Sequence, residues 1–228
     1  SDYKLDFVLH YTYNLNKKNT INIGAVYTLG RTLHGDAYKY HQTGAESNGS
    51  IYVQSQTGDT IPNPFKMPHT FGIGLTYVYD NRLTIGVDYT LQKWNTADLA
   101  WSKFNKESVE MNSRTKIAFG AEFVPSYISH NYLKRIRYRM GAYYSSPYNK
   151  VSYTSPDTGT TSFQDGAREY GVSIGFGLPM FQSKSMLNIS GQYIKVSPKF
   201  KGLMEENYLR INIGLTFNER WFMKWKVD

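Results

Sequence analysis

Cysteine is absent from the 228 residues, so neither a disulfide framework nor a thiolate nucleophile or metal site can be built. The chain also lacks any apolar run near the ~18 residues that a membrane-crossing helix needs. Its mean hydropathy of −0.50 would ordinarily accompany a soluble protein, but a transmembrane β-barrel escapes that inference because only every second residue faces lipid. No run of five like charges occurs. The 26 Lys and Arg against 18 Asp and Glu are scattered through turns and loops, so the formal charge of +8 does not mark a nucleic-acid partner. No signal peptide opens the chain, and strand pattern begins at once; the expectation is that the true start has been removed or lies elsewhere. Apolar spacings of three and four are missing, which excludes amphipathic helices; only 127–134 (YISHNYLK) reads as a short helical turn.

What is present is aromatic and glycine-rich: 20 Tyr, 12 Phe and 19 Gly, a mix that suits a pleated surface. Alternation with a period of two marks nine strands, at 2–14, 19–31, 69–79, 82–94, 114–125, 135–146, 168–178, 186–196 and 207–218. In 69–79 the apolar set is Phe71, Ile73, Leu75, Tyr77 and Tyr79; in 207–218 it is Leu209, Ile211, Ile213, Leu215 and Phe217. The alternate positions carry Thr, Asn, Gly, Asp, Glu, Arg and Lys. Connections alternate in length. Those at 15–18, 80–81, 127–134 and 179–185 are short, and those at 32–69, 95–114, 147–167 and 197–207 are long. Outer-membrane barrels do the same, with short periplasmic turns and longer outer loops.

Alternation alone does not say whether the apolar face is buried or in lipid. Three features point to lipid. Tyrosines (Tyr11, Tyr13, Tyr77, Tyr79, Tyr89, Tyr170) cluster toward strand ends like an interfacial girdle. The strands are long enough to cross a bilayer when tilted. Eleven of the 19 glycines fall on the polar face, where a crowded lumen gives them a reason. The fold class expected is therefore all-β, a transmembrane antiparallel up-and-down β-barrel in the outer membrane of a Gram-negative bacterium. Residues 1–218 form its strands and 219–228 a periplasmic C-terminal tail. The last strand should end in the periplasm. Nine strands then place the first strand's start outside, whereas a complete bacterial barrel has an even strand number. The chain is thus expected to be the C-terminal portion of a larger barrel, its two end strands unpaired with each other. A strand at 50–54 (SIYVQ) is the alternative count, disfavoured because it would leave a periplasmic connection of about 20 residues against the short turns usual there.

The segments LRINIGLTFNERWFMKWKVD and FGIGLTYVYDNRLTIGVDYTLQKW resemble the C-terminal half of the long-chain fatty acid transporter (FadL-like) family. That resemblance implies a 14-strand barrel, five strands and an N-terminal hatch preceding this chain, and passive uptake of hydrophobic small molecules. It also implies that 208–217 carries the signal read by the barrel-assembly machinery. The tail 218–228 departs from the usual aromatic ending.

The polar face carries a candidate lumen network of Asp6, Asp88, Lys116, Glu122, Arg137, Arg139, Glu169 and Arg210, with Lys4 and His10 beside it. A near-symmetric hairpin around 127–134 sets Glu122 opposite Arg139. The network reads either as a solvated or plug-gripping set of pairs, or as an anionic headgroup path along Arg137, Arg139 and Arg210. Loop aromatics Tyr38, Tyr40, Phe65 and Trp101, with Trp94 and Phe104, read as first contacts for a lipid-like ligand or as the upper interfacial belt. His34, His41 and His69 match no zinc spacing, and no Ser-His-Asp set is recognisable, so neither enzyme, metal nor cofactor is expected. The partners expected are outer-membrane lipid and lipopolysaccharide, the barrel-assembly machinery during biogenesis, and further strands with a hatch, or another chain, completing the barrel. A hydrophobic ligand belongs with the uptake reading. Three functions stay open: a channel for hydrophobic compounds, a non-transporting scaffold or carrier for surface or secreted proteins, and an adhesin or polar-solute porin.

Overall fold

The computed structural model describes residues 2–47, 50–63, 65–96, 110–154, 160–180, 185–198 and 204–217. Within them the chain forms fifteen strands and two short 3-10 turns. The strands are β1 (Asp6–Asn14), β2 (Asn19–Thr28), β3 (Arg31–Thr32), β4 (Asp36–Ser47), β5 (Ser50–Pro62), β6 (Lys66–Met67), β7 (Thr70–Tyr79) and β8 (Leu83–Gln92). They continue with β9 (Arg114–Phe123), β10 (Arg137–Ser145), β11 (Lys150–Thr154), β12 (Thr161–Asp165), β13 (Arg168–Pro179), β14 (Met186–Ser197) and β15 (Glu206–Thr216). Nine of them make one antiparallel sheet in the order β1-β2-β7-β8-β9-β10-β13-β14-β15. These nine coincide with the nine expected strands, because two-residue periodicity is a property of the strand itself.

The six other strands lie inside the long connections. β4 pairs only with β5, β3 with β6, and β11 with β12. The segment 50–54, disfavoured above as a strand, is a strand within β5. The parity survives because it comes with a partner. β4 and β5 form a hairpin inside one connection, with a bulge between Thr43 and Gly44, so the chain leaves and re-enters the main sheet on the same side. The turn expected in 127–134 appears as a 3-10 turn over Tyr132–Arg135, capped by the Asn131 side chain, which accepts from the Leu133 amide.

Register carries the pattern across the sheet. One apolar row runs Tyr11–Ile23–Leu75–Val87–Phe119–Ala142–Val172–Tyr193–Leu209 through all nine strands. One residue along, the polar row reads Thr12–Asn22–Thr76–Gly86–Gly120–Gly141–Ser173–Gln192–Arg210. A slip of one residue in any pair would exchange the faces.

Among the described residues, nothing covers the apolar face. Among the described residues the buried aliphatic side chains are Ile61, Val124, Ile136 and Ile194, with the prolines Pro68 and Pro147, while Ile174 and Ile213 stand 62% and 73% exposed. A soluble sandwich would bury these rows against a second sheet. β1 and β15, at the two edges, do not pair with each other, and every residue in both is exposed apart from Glu206. No closed barrel forms among the described residues.

The tight turn between β7 and β8 places Asp80 and Asn81 at φ of 50° and 54°. Positive φ at both central residues matches the right-handed twist of the flanking strands, and Asp and Asn tolerate it better than other non-glycine residues. Asn81→Gly should leave thermal unfolding in detergent unchanged or raised. Asn81→Val, which forces a β-branched side chain into that conformation, should cost about 1–2 kcal/mol and lower the unfolding midpoint.

Candidate functional site

Alternation places every ionic residue of the main sheet's polar face by parity, and register decides which of them meet. Arg139 on β10 lies directly opposite Glu122 on β9. Glu122 accepts from Arg139 Nε at 2.6 Å and from Arg137 Nη1 at 3.1 Å. Arg139 also donates through Nη1 to Asn188 Oδ1 on β14 at 2.7 Å. To reach β14 its side chain must pass over β13, where its cross-strand neighbour is Gly175; the neighbour of Arg137 is Gly177. A Cβ at 177 would sit 3.1 Å from Arg137 Cβ and 3.0 Å from Met186 Sδ. The glycines therefore clear the ground for the sheet's own arginines, a local reason for a feature that had suggested a lumen crowded by something large.

A second cluster lies toward the other end of the same strands. The Tyr143 hydroxyl donates to Glu169 Oε1, and Arg114 Nη2 lies 3.8 Å from Glu169 Oε2. Arg114 Nε donates to Ser145 Oγ at 2.8 Å, and Lys116 Nζ stands 4.8 Å from the Tyr143 ring centre. The Tyr143 ring covers Gly171, where any Cβ would collide with it.

Of the eight network residues, the structure joins Glu122 with Arg137 and Arg139, and Lys116 with Glu169 through Tyr143. Asp6 accepts from Thr28 and Lys4 at the edge of the sheet. Asp88 lies over Gly74, and Arg210 faces Gln192 on β14; among the described residues neither forms an ion pair. Asn188, Tyr143, Arg114 and Ser145 were not singled out in the sequence. Tyr143 did carry a signal: it is a tyrosine at a polar-parity position, on the strand beside Glu169.

Of the loop aromatics, Tyr38 and Tyr40 project from β4, 64% and 63% exposed, and Phe65 is similarly exposed. Trp101 and Phe104 lie outside the described residues, as does the tail 218–228. The loop histidines are dispersed. His69 Nδ1 meets the Tyr27 hydroxyl at 2.8 Å, and His34 meets Asp2 at 3.0 Å. The hydrogen bonds from the His34 side chain and backbone hold the Asp2 carboxyl below its ordinary value. That tie is complete above the usual carboxylate range and is lost as pH falls through the lowered value.

Chemically the polar face is a cross-strand staple. Glu122, Arg137 and Arg139 in it are paired, part-exposed and aimed along the sheet. A double-mutant cycle of Glu122→Gln with Arg139→Gln should return a coupling of about 1 kcal/mol, reduced by high salt, because the pair is hydrated. Gly171→Ala should displace the Tyr143 ring and lower thermal stability more than Gly214→Ala, where a Cβ meets nothing within 4 Å. Unfolding curves for the two variants check this.

A protein-family model described as BamG matches residues 1–228, the whole chain. No curated protein and no solved structure matches. The full-length match overturns the expected membership of the FadL-like family. The physical reason is that the segments behind that resemblance are alternating strands and a tight turn, which any membrane-facing antiparallel sheet requires. The five preceding strands and the hatch rested on that resemblance and lose their support with it.

Proposed function

We propose, from the premise that this chain belongs to the BamG family, that it forms part of the wall of an outer-membrane β-barrel and serves as a scaffold subunit of the machinery that assembles other barrels. The observation that carries the membrane reading is the uncovered apolar face, whose rows cross all nine strands with no core behind them. Strands of nine to twelve residues rise about 30–40 Å, enough to cross the ~25 Å apolar band of such a wall at the usual tilt. Unpaired edges are not tolerated in lipid, so β1 and β15 pair with further strands, from the rest of the same polypeptide or from another chain. A 14-strand closure is one that the parity of nine permits.

The family name supports the assembly role, since it links the family to the barrel-assembly machinery of the Gram-negative outer membrane. The polar face supports a structural part over a conducting one. Arg137 and Arg139 are tied to Glu122, and Arg139 to Asn188, across three strand boundaries of the sheet. A second reading, passive uptake of a hydrophobic small molecule, is favoured by one observation: Tyr38, Tyr40 and Phe65 stand exposed in a single long connection, between β3 and β6 or on β4.

Two measurements test these readings. Depletion of the protein from cells should slow the folding of other outer-membrane barrels in pulse-chase, and the tagged protein should co-purify with the assembly machinery's central barrel. Unchanged folding rates together with loss of labelled fatty acid uptake on deleting residues 32–69 would transfer the function to the second reading. For the wall itself, Val87→Lys and Ile174→Lys should each cost about 2–4 kcal/mol in detergent or bilayer. A chain that stays monomeric in plain buffer would refute the membrane placement.

A further inference from the structure

The apolar face is not uniform. Toward the short-turn end, a groove of about 330 Å³ opens in it, lined among others by Leu83, Ala121, Phe123, Tyr138, Ile174 and Phe176. Ala121 leaves the space for it: in its row the small side chain stands between Ile85 and Met140, with Ile174 and then Gly191 beyond. Phe123, Tyr138 and Phe176 stand in the next row, the last two edge to face with centroids 5.9 Å apart.

Just beyond that row the chain is cationic. Arg82 immediately precedes Leu83, and its guanidinium donates to the carbonyls of Val124 and Pro125, which anchors it over the end of β9. Lys134 and Arg135 lie in the 3-10 turn that the Tyr138 hydroxyl clips through the Leu133 carbonyl at 3.0 Å. Among the described residues neither Lys134 nor Arg135 has a carboxylate partner. Among the described residues the carboxylates at this end are Asp80, in the neighbouring tight turn, and Glu122, which two arginines already occupy on the opposite face.

An apolar slot opening toward lipid, topped by unpaired cations at the membrane edge, complements a molecule with an acyl chain and a phosphate. We propose that the groove beneath Arg82, Lys134 and Arg135 is a binding site for an anionic glycerophospholipid of the leaflet facing the short turns. The acyl chain lies over Ala121, between Phe123 and Ile174, and the phosphate is held by the three cations. An arginine already pinned by backbone carbonyls loses little freedom in offering its remaining N–H groups to a phosphate. The inference rests on the reading that the apolar face is in lipid.

Native mass spectrometry of the full chain, taken from detergent and offered phosphatidylglycerol or phosphatidylcholine, tests it. A basic side chain near an anionic headgroup favours binding about fivefold, so three should favour phosphatidylglycerol by up to about a hundredfold at low salt. The triple variant Arg82→Gln, Lys134→Gln, Arg135→Gln should lose the preference. Ala121→Phe, which fills the slot but keeps the cations, should release the lipid while its heat-modifiable gel mobility stays that of the parent. Equal retention of both lipids overturns the proposal. So does undiminished retention by Ala121→Phe, or competition by millimolar inorganic phosphate with no requirement for an acyl chain. A chain that needs no detergent would instead strike the membrane reading itself, a separate outcome.

Discussion

Antiparallel pairing in continuous register is the constraint from which the other features follow. Each of the nine strands repeats every two residues, and eight consecutive pairings keep those repeats in phase. Backbone groups are satisfied between strands, which frees side chains from any duty to make a core. The result is a sheet with one mainly apolar and one mainly polar surface. In water that is unstable; beside lipid it is the arrangement expected, because hydrocarbon solvates the apolar rows and the polar rows face a wet interior. The near-absence of buried apolar side chains among the described residues is what the proposed placement in lipid leads to.

The polar surface has its own logic. Long side chains on a sheet normally stand upright, but Arg139 and Tyr143 lie down across β13. They can do so because their cross-strand neighbours are Gly175 and Gly171. Glycine weakens a strand in isolation. Here the loss is offset by a charge-assisted bond that reaches over a neighbour, from Arg139 on β10 to Asn188 on β14. This coupling ties neighbouring strands laterally and leaves Glu122, Arg137 and Arg139 spent on one another. The cations at the short-turn end are the contrast, since Lys134 and Arg135 are not consumed in this way and sit where a membrane surface would meet them.

The family assignment shows the limits of strand pattern as a signature. Alternating strands and an Asp-Asn turn are dictated by the bilayer and by twist, so unrelated barrels converge on them. The segments that suggested a fatty acid transporter were of this kind, and the BamG match across the whole chain removes the ground for that assignment.

Sequence alone determined the nine strands, their faces and the pairing of Glu122 with Arg139, because each depends on a period of two and a hairpin of known length. It determined the parity too, since connection lengths alternate whether or not the loops are themselves folded. Only the tertiary structure decided where the long side chains lie once the strands are paired. Asn188 meets Arg139 across β13, Tyr143 rests on Gly171, and Glu169 joins β10 through a hydroxyl. Those contacts depend on side-chain reach over a neighbour, which no spacing along the chain encodes. The β4–β5 hairpin was hidden for a related reason. Its residues alternate like strands, but a ribbon that pairs only with itself leaves the count of wall strands unchanged, so pattern alone could not tell it from an error in counting.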